Sequence, residues 1–149
     1  MGMPKDNDNL MHFEESVLIE APKEAVYQAV LACLRAFPGE HEGDVIHFTL
    51  EEWPGGRWFR DLGPGQGHLW GFVQAIKPPS LIEIHGPMFM SYAVAGNLII
   101  RLTPADEGTT LSLRHQVFGI FPEDYRAGMA EGWAHWVQCV KKASESVSP

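Results

Sequence analysis

The side chains best equipped for chemistry in this sequence are seven histidines, at positions 12, 41, 47, 68, 85, 115 and 135, and two cysteines, Cys33 and Cys139. A zinc site built from them would show donors at H-x-x-x-H, H-E-x-x-H or C-x-x-C spacing. No such spacing occurs, so neither a metal nor any other cofactor is expected. His12 and His41 read as solvent-facing. Both cysteines fall in apolar stretches of helical pattern and read as buried free thiols, with no signal for an activated thiolate. G-x-S-x-G is absent, and with it the usual serine nucleophile. The run Gly63-Pro64-Gly65-Gln66-Gly67 has the look of a phosphate loop. Such a loop leads from a strand into a helix whose first N–H groups face the anion. Here His68-Leu69-Trp70-Gly71-Phe72-Val73 follows, which is strand material, and no Lys-Ser or Lys-Thr pair follows the glycines. The glycines therefore read as a hairpin turn.

His115 is the histidine with a position worth arguing. It alternates in phase with Leu111, Leu113 and Val117, so it points toward the covered side of its strand. It is expected there as a core histidine bonded to a neighbour, as a polar handle in a ligand cavity, or as a general base. Arg60 is in phase with Trp58 and Leu62. Facing inward it would clamp a ligand's carboxylate or carbonyl; with Phe59 inward instead, it would be a solvent residue. Asp61 takes the opposite phase and reads as a turn or surface acid. The aromatic side chains carry more weight. Trp58, Trp70, Phe72, Phe89, Tyr92, Trp133 and Trp136, with Met129, are bulky for one small domain. Most would simply be core. Yet Gly128 and Gly132 remove volume from one side of the last helical segment. Indoles around missing volume suit an apolar pocket with a few polar tips, and these residues, with His115 and Arg60, are the expected ligand-binding set. No catalytic residue is assigned.

The elements that must hold these residues follow from the hydrophobic pattern. Residues 12–20 read as a first strand. Pro22 then opens a helix over about 22–36, with Val26, Val30 and Leu34 on one stripe. From 44 to 117 short apolar runs alternate with Gly, Pro and Asp clusters: 45–53, 57–62, 68–77, 81–85, 97–103 and 109–117. That texture means an antiparallel meander with one wet face. Pro122-Glu123-Asp124 starts a last helix over 122–147, roughly 39 Å long. Its stripe is Tyr125, Met129, Trp133, Trp136, Val137 and Val140. The expected fold is α+β: a curved antiparallel sheet of about 6–7 strands wrapped around a long C-terminal helix, with a shorter helical segment after the first strand.

Length and charge bound the rest. The 149 residues suffice for one domain with a true core, taken as 12–149 behind a disordered tail at 1–11. A net charge of −8 argues against nucleic acid as a partner and against anionic membranes. No apolar run reaches the roughly 20 residues of a membrane span, and no signal peptide is recognisable, so a cytoplasmic location is expected. A homodimer is expected as an option, through a sheet edge or Met88-Phe89-Met90.

Several stretches also resemble a known family. They are "APKEAV" at the first helix, "PGGRWFRDLG", "GHLWGFVQAIKPP" followed by "LIEIHGP", "RLTPADEGTTLSLRHQ" and the late Gly132-Trp133. Together they resemble the branch of the START-related (SRPBCC) superfamily named for activators of the ninety-kilodalton heat-shock protein ATPase, the AHSA-like proteins of uncharacterised bacterial type. The resemblance spans about 12–145 and implies the helix-grip fold. It implies binding of a small hydrophobic or amphipathic molecule, lipid-like or polyketide-like, between sheet and C-terminal helix. It leaves open a cyclase, dehydratase or hydrolase acting on a carbonyl-bearing substrate, and a regulator of a chaperone ATPase. It carries no universal catalytic motif.

Overall fold

The computed structural model describes residues 9–39, 43–88 and 91–146. Strand β1 (Leu10–Ile19) leads into helix α1 (Lys23–Arg35) and then a small hairpin, β2 (Ala36–Pro38) with β3 (Val45–His47). Strands β4 (Thr49–Leu50), β5 (Arg57–Gly63), β6 (Gln66–Lys77), β7 (Leu81–His85), β8 (Ala93–Ala105) and β9 (Gly108–Ile120) follow, and helix α2 (Tyr125–Ser146) closes the order. The main sheet has seven strands in the order β1-β9-β8-β7-β6-β5-β4, every neighbour antiparallel. This is the α+β helix-grip arrangement, with both helices on one face of the sheet.

Alternation decides which face is covered. In β9, Leu111, Leu113, His115 and Val117 are buried, while Ser112 is exposed and Arg114 and Gln116 half-buried. Leu98, Ile100 and Leu102 of β8 turn to the same side. The α2 stripe Met129, Trp133, Trp136, Val137 and Val140 covers them, with Val26, Val30, Leu31 and Leu34 of α1 beside it. Burial of these apolar faces, each worth about 25 cal/mol per Å² removed from water, is what holds helices to sheet. Helix α1 opens after Pro22 as its cap residue. Its last carbonyls, which have no partner inside the helix, accept indole N–H groups: Trp58 donates to Leu34 O at 2.9 Å and Trp136 to Cys33 O at 3.1 Å.

Several boundaries differ from expectation. Strand β1 begins at Leu10, inside the stretch read as tail, because Leu10 and Met11 pair with Phe118 and Val117. The run 45–53 is not one strand. It breaks at Phe48, whose ring turns into the core, so β3 joins the hairpin and β4 the main sheet. The glycine run is the hairpin turn expected of it, confined to Pro64-Gly65, with Gly63 of β5 registered opposite Gln66 of β6. Strands β8 and β9 extend beyond 97–103 and 109–117, pairing from Ala93 with Ile120 to Ala105 with Gly108. Of the segment offered as a dimer contact, Met88 is fully buried, and Phe89 and Met90 lie outside the described residues.

Candidate functional site

The first half of α2 does not close against the rest of the molecule. A Cβ placed on Gly128 or on Gly132 would meet no heavy atom within 4 Å. The space left there belongs to a pocket of about 570 Å³. Its walls are Phe37 from β2, Tyr92 ahead of β8, and Tyr125, Met129 and Trp133 from α2, with Pro122 and Asp124 at the helix entrance. The Tyr92 and Tyr125 rings meet edge to face with centroids 5.1 Å apart. The wall is therefore mostly aromatic, and its polar atoms are the two phenols, the Asp124 carboxylate and exposed backbone.

Behind the wall lies a continuous aromatic cluster. Phe37 sits at its centre, with ring centroids 5.8–6.4 Å from Phe48, Trp58, Trp70, Trp133 and Trp136. Trp133 links pocket to sheet, because its Nε1 donates to His115 Nδ1 at 3.0 Å. His115 has no exposed surface, and burial pushes its pKa down to about 3. A neutral ring that accepts at Nδ1 carries its proton on Nε2. His115 is thus the core histidine bonded to a neighbour, supporting the pocket through Trp133 instead of lining it.

The expected ligand-binding residues divide accordingly. Tyr92, Met129 and Trp133 line the pocket. Trp58, Trp70, Trp136 and His115 form the shell beneath it. Two placements are corrected. Phe72 is 47% exposed on the outer face of the sheet. Trp58 pairs with Gly71 and Phe59 with Leu69, so Trp70 is the extra residue of a β-bulge. Bulges re-aim side chains; this one turns Trp70 inward and leaves Phe72 in the outward phase. Gly71 permits it, since a Cβ there would stand 2.6 Å from His85 O and 2.7 Å from Ile84 Cγ2. Arg60 is half-buried around the β5–β6 hairpin, with Gly63–Leu69, away from the pocket. Phe89 lies outside the described residues, as does His41.

Phe37, Pro122, Asp124 and Tyr125 were missed as lining. Phe37 follows α1 directly, and its helical spacing merges with that helix. Tyr125 was legible as the first member of the α2 stripe. A second groove, about 600 Å³, runs between the β2–β3 hairpin and α2 with Cys33, His135 and Cys139 in its wall. Its thiols are not activated: burial pushes Cys33 up to about 11 and raises Cys139 as well. Among the described residues, no group of three or more His, Cys, Asp or Glu side chains is placed to hold a metal ion, and no helix is long and apolar enough to cross a membrane.

Solved structures share this architecture at low identity. An uncharacterized protein of Rhizobium leguminosarum superposes with a TM-score of 0.71 at 17% identity, over 92% of this chain and 95% of that one. A protein of Chromobacterium violaceum gives 0.71 at 20% identity, over 90% and 96%. The di-domain ARO/CYC StfQ from the steffimycin biosynthetic pathway gives 0.66 at 15% identity, over 93% of this chain and 52% of that one. At these identities the likeness speaks for the fold. No curated protein matches the sequence. The family model described as Activator of Hsp90 ATPase homolog 1-like protein matches residues 20–145, nearly the whole folded chain, and to that family this protein belongs.

Proposed function

We propose that this protein binds a small amphipathic molecule, with an apolar and mostly planar body, in the pocket beside Gly128 and Gly132. The observation that carries the reading is the space those glycines leave. Glycine inside a helix costs about 0.5–1 kcal/mol relative to alanine, and no neighbour here requires it. Two such residues one turn apart, facing an aromatic wall, make sense as room for a ligand. A pocket of about 570 Å³ falls within the usual range for small-molecule sites. Tyr92, Tyr125 and Asp124 would hold the polar end, and Phe37, Met129 and Trp133 the apolar body. The similar fold of StfQ, an ARO/CYC of the steffimycin biosynthetic pathway, supports a polyketide-like body. If a carbonyl-bearing substrate were also turned over, the proton-transfer groups would be Tyr92, Tyr125 or Asp124, because His115 stands behind Trp133.

Filling the pocket tests the reading. In Gly132→Leu the Cβ meets no neighbour within 4 Å, and the rest of the side chain is directed into the cavity that Gly132 lines. An apolar fluorescent probe bound by the wild type is expected to lose at least about tenfold in affinity, and any small molecule retained in native mass spectrometry is expected to disappear. Wild-type probe affinity in Gly132→Leu would remove the pocket from this function.

A further inference from the structure

A separate feature lies on the opposite face of the sheet. There β1, β9 and β8 form a groove of about 510 Å³ whose wall includes Ser16, Ser112, Ile99, Arg101, Arg114, Glu14 and Glu15. The register explains why these side chains converge. Ser16 pairs with Ser112 and Ser112 with Arg101, while Glu14 pairs with Arg114 and Arg114 with Ile99. Arg101 and Arg114 are therefore diagonal neighbours on one face, within reach of each other for long side chains. Two guanidiniums so close repel unless an anion lies between them.

Among the described residues, no carboxylate forms an ion pair with either guanidinium. Arg114 Nε is buried and has no hydrogen-bond partner. Glu14, directly opposite Arg114, turns instead to His12, Oε1 lying 3.2 Å from Nε2. Glu83, the next acid across on β7, accepts from Asn97 Nδ2 at 2.8 Å. In a chain of net charge −8, the two arginines share the groove with Glu14 and Glu15, yet among the described residues neither carboxylate forms an ion pair with them. A buried guanidinium N–H without an acceptor is costly, and an oxyanion would satisfy it.

We propose that this groove is an anion site for a phosphate group carried as a dianion or monoester. Two planar forks and two serine hydroxyls present more donors than one carboxylate accepts, and they suit a tetrahedral oxyanion with three terminal oxygens. The site is independent of the apolar pocket, which lies on the other side of the sheet.

Arginine Nε–Hε resonances read the site directly. The ¹⁵N-labelled protein is titrated with inorganic phosphate at constant ionic strength, chloride serving as the balancing anion. The Arg114 Hε signal is expected to shift saturably. Arg101→Gln, a change at an exposed position, is expected to weaken the response about tenfold, with an unchanged melting temperature. A shift that never saturates, or an equal response in Arg101→Gln, overturns the proposal. Sedimentation with phosphatidylcholine vesicles containing phosphatidic acid then separates the two sources of the group. Pelleting that Arg101→Gln abolishes assigns a lipid headgroup, and saturable phosphate binding without pelleting assigns a soluble phosphomonoester.

Discussion

At the scale of single residues, His115 shows how burial selects among the roles a histidine can play. Alternation along 109–117 was enough to place it on the covered face, and the structure agrees. Its role was not legible, because that depends on Trp133, a residue far along the chain whose indole reaches it from α2. The consequence is a pH dependence. In the unfolded chain the imidazole takes up a proton near its ordinary value of 6.5; in the folded protein burial holds it neutral down to about 3. Between those values the unfolded state binds the extra proton, so stability is complete above pH 6.5 and falls as pH drops toward 3. The slope from this one group approaches about 1.4 kcal/mol per pH unit. Urea titrations in this window should show a flatter acid limb for His115→Gln, which keeps an acceptor for the Trp133 indole but does not titrate. An identical limb in variant and wild type would mean that burial does not depress the His115 pKa and that the ring takes up its proton alike in both states.

The elements themselves were largely readable, and the failures have physical causes. Both helices follow from apolar stripes flanked by Pro22 and Pro122, and β8 and β9 from clean alternation. Strand β6 misleads because its two aromatics, Trp70 and Phe72, share one alternation phase. A bulge adds one residue without any marker except the adjacent glycine, so Trp70 and Phe72 looked equivalent although one is buried and the other exposed. The two glycine environments make opposite predictions. At Gly132, inside α2 and facing open space, Gly132→Ala should stabilise the protein by about 0.5–1 kcal/mol through helix propensity alone. At Gly71 the same change drives a Cβ to 2.6 Å from a backbone oxygen of β7. Gly71→Ala should cost about 2 kcal/mol or more by overpacking and loss of the bulge. Chemical denaturation of the two alanine variants checks both signs. A destabilised Gly132→Ala would show that the glycine is required by the fold and not by the pocket.

Across the whole molecule the site is built where separate elements meet, which is why so little of its lining could be read from local pattern. Phe37 is the clearest case. It belongs to a three-residue strand that no periodicity announces, yet its ring touches Phe48 beside β4, Trp58 of β5, Trp70 of β6 and both tryptophans of α2. The same ring forms one wall of the pocket. Core and ligand site therefore share a residue, and truncating it should act on both in opposite directions. Phe37→Ala should lower stability by about 3 kcal/mol, since Trp58 and Trp136, tethered through their indoles to Leu34 O and Cys33 O, resist moving into the vacated space. The vacated volume adjoins the pocket, so a bulkier apolar probe that the wild type binds poorly should bind the variant more tightly. Denaturation and probe titration on the same preparation measure the two effects. Loss of stability with no gain for the larger probe would mean that the rings beneath Phe37 close the space, and that pocket and aromatic cluster are separate structures sharing only a boundary.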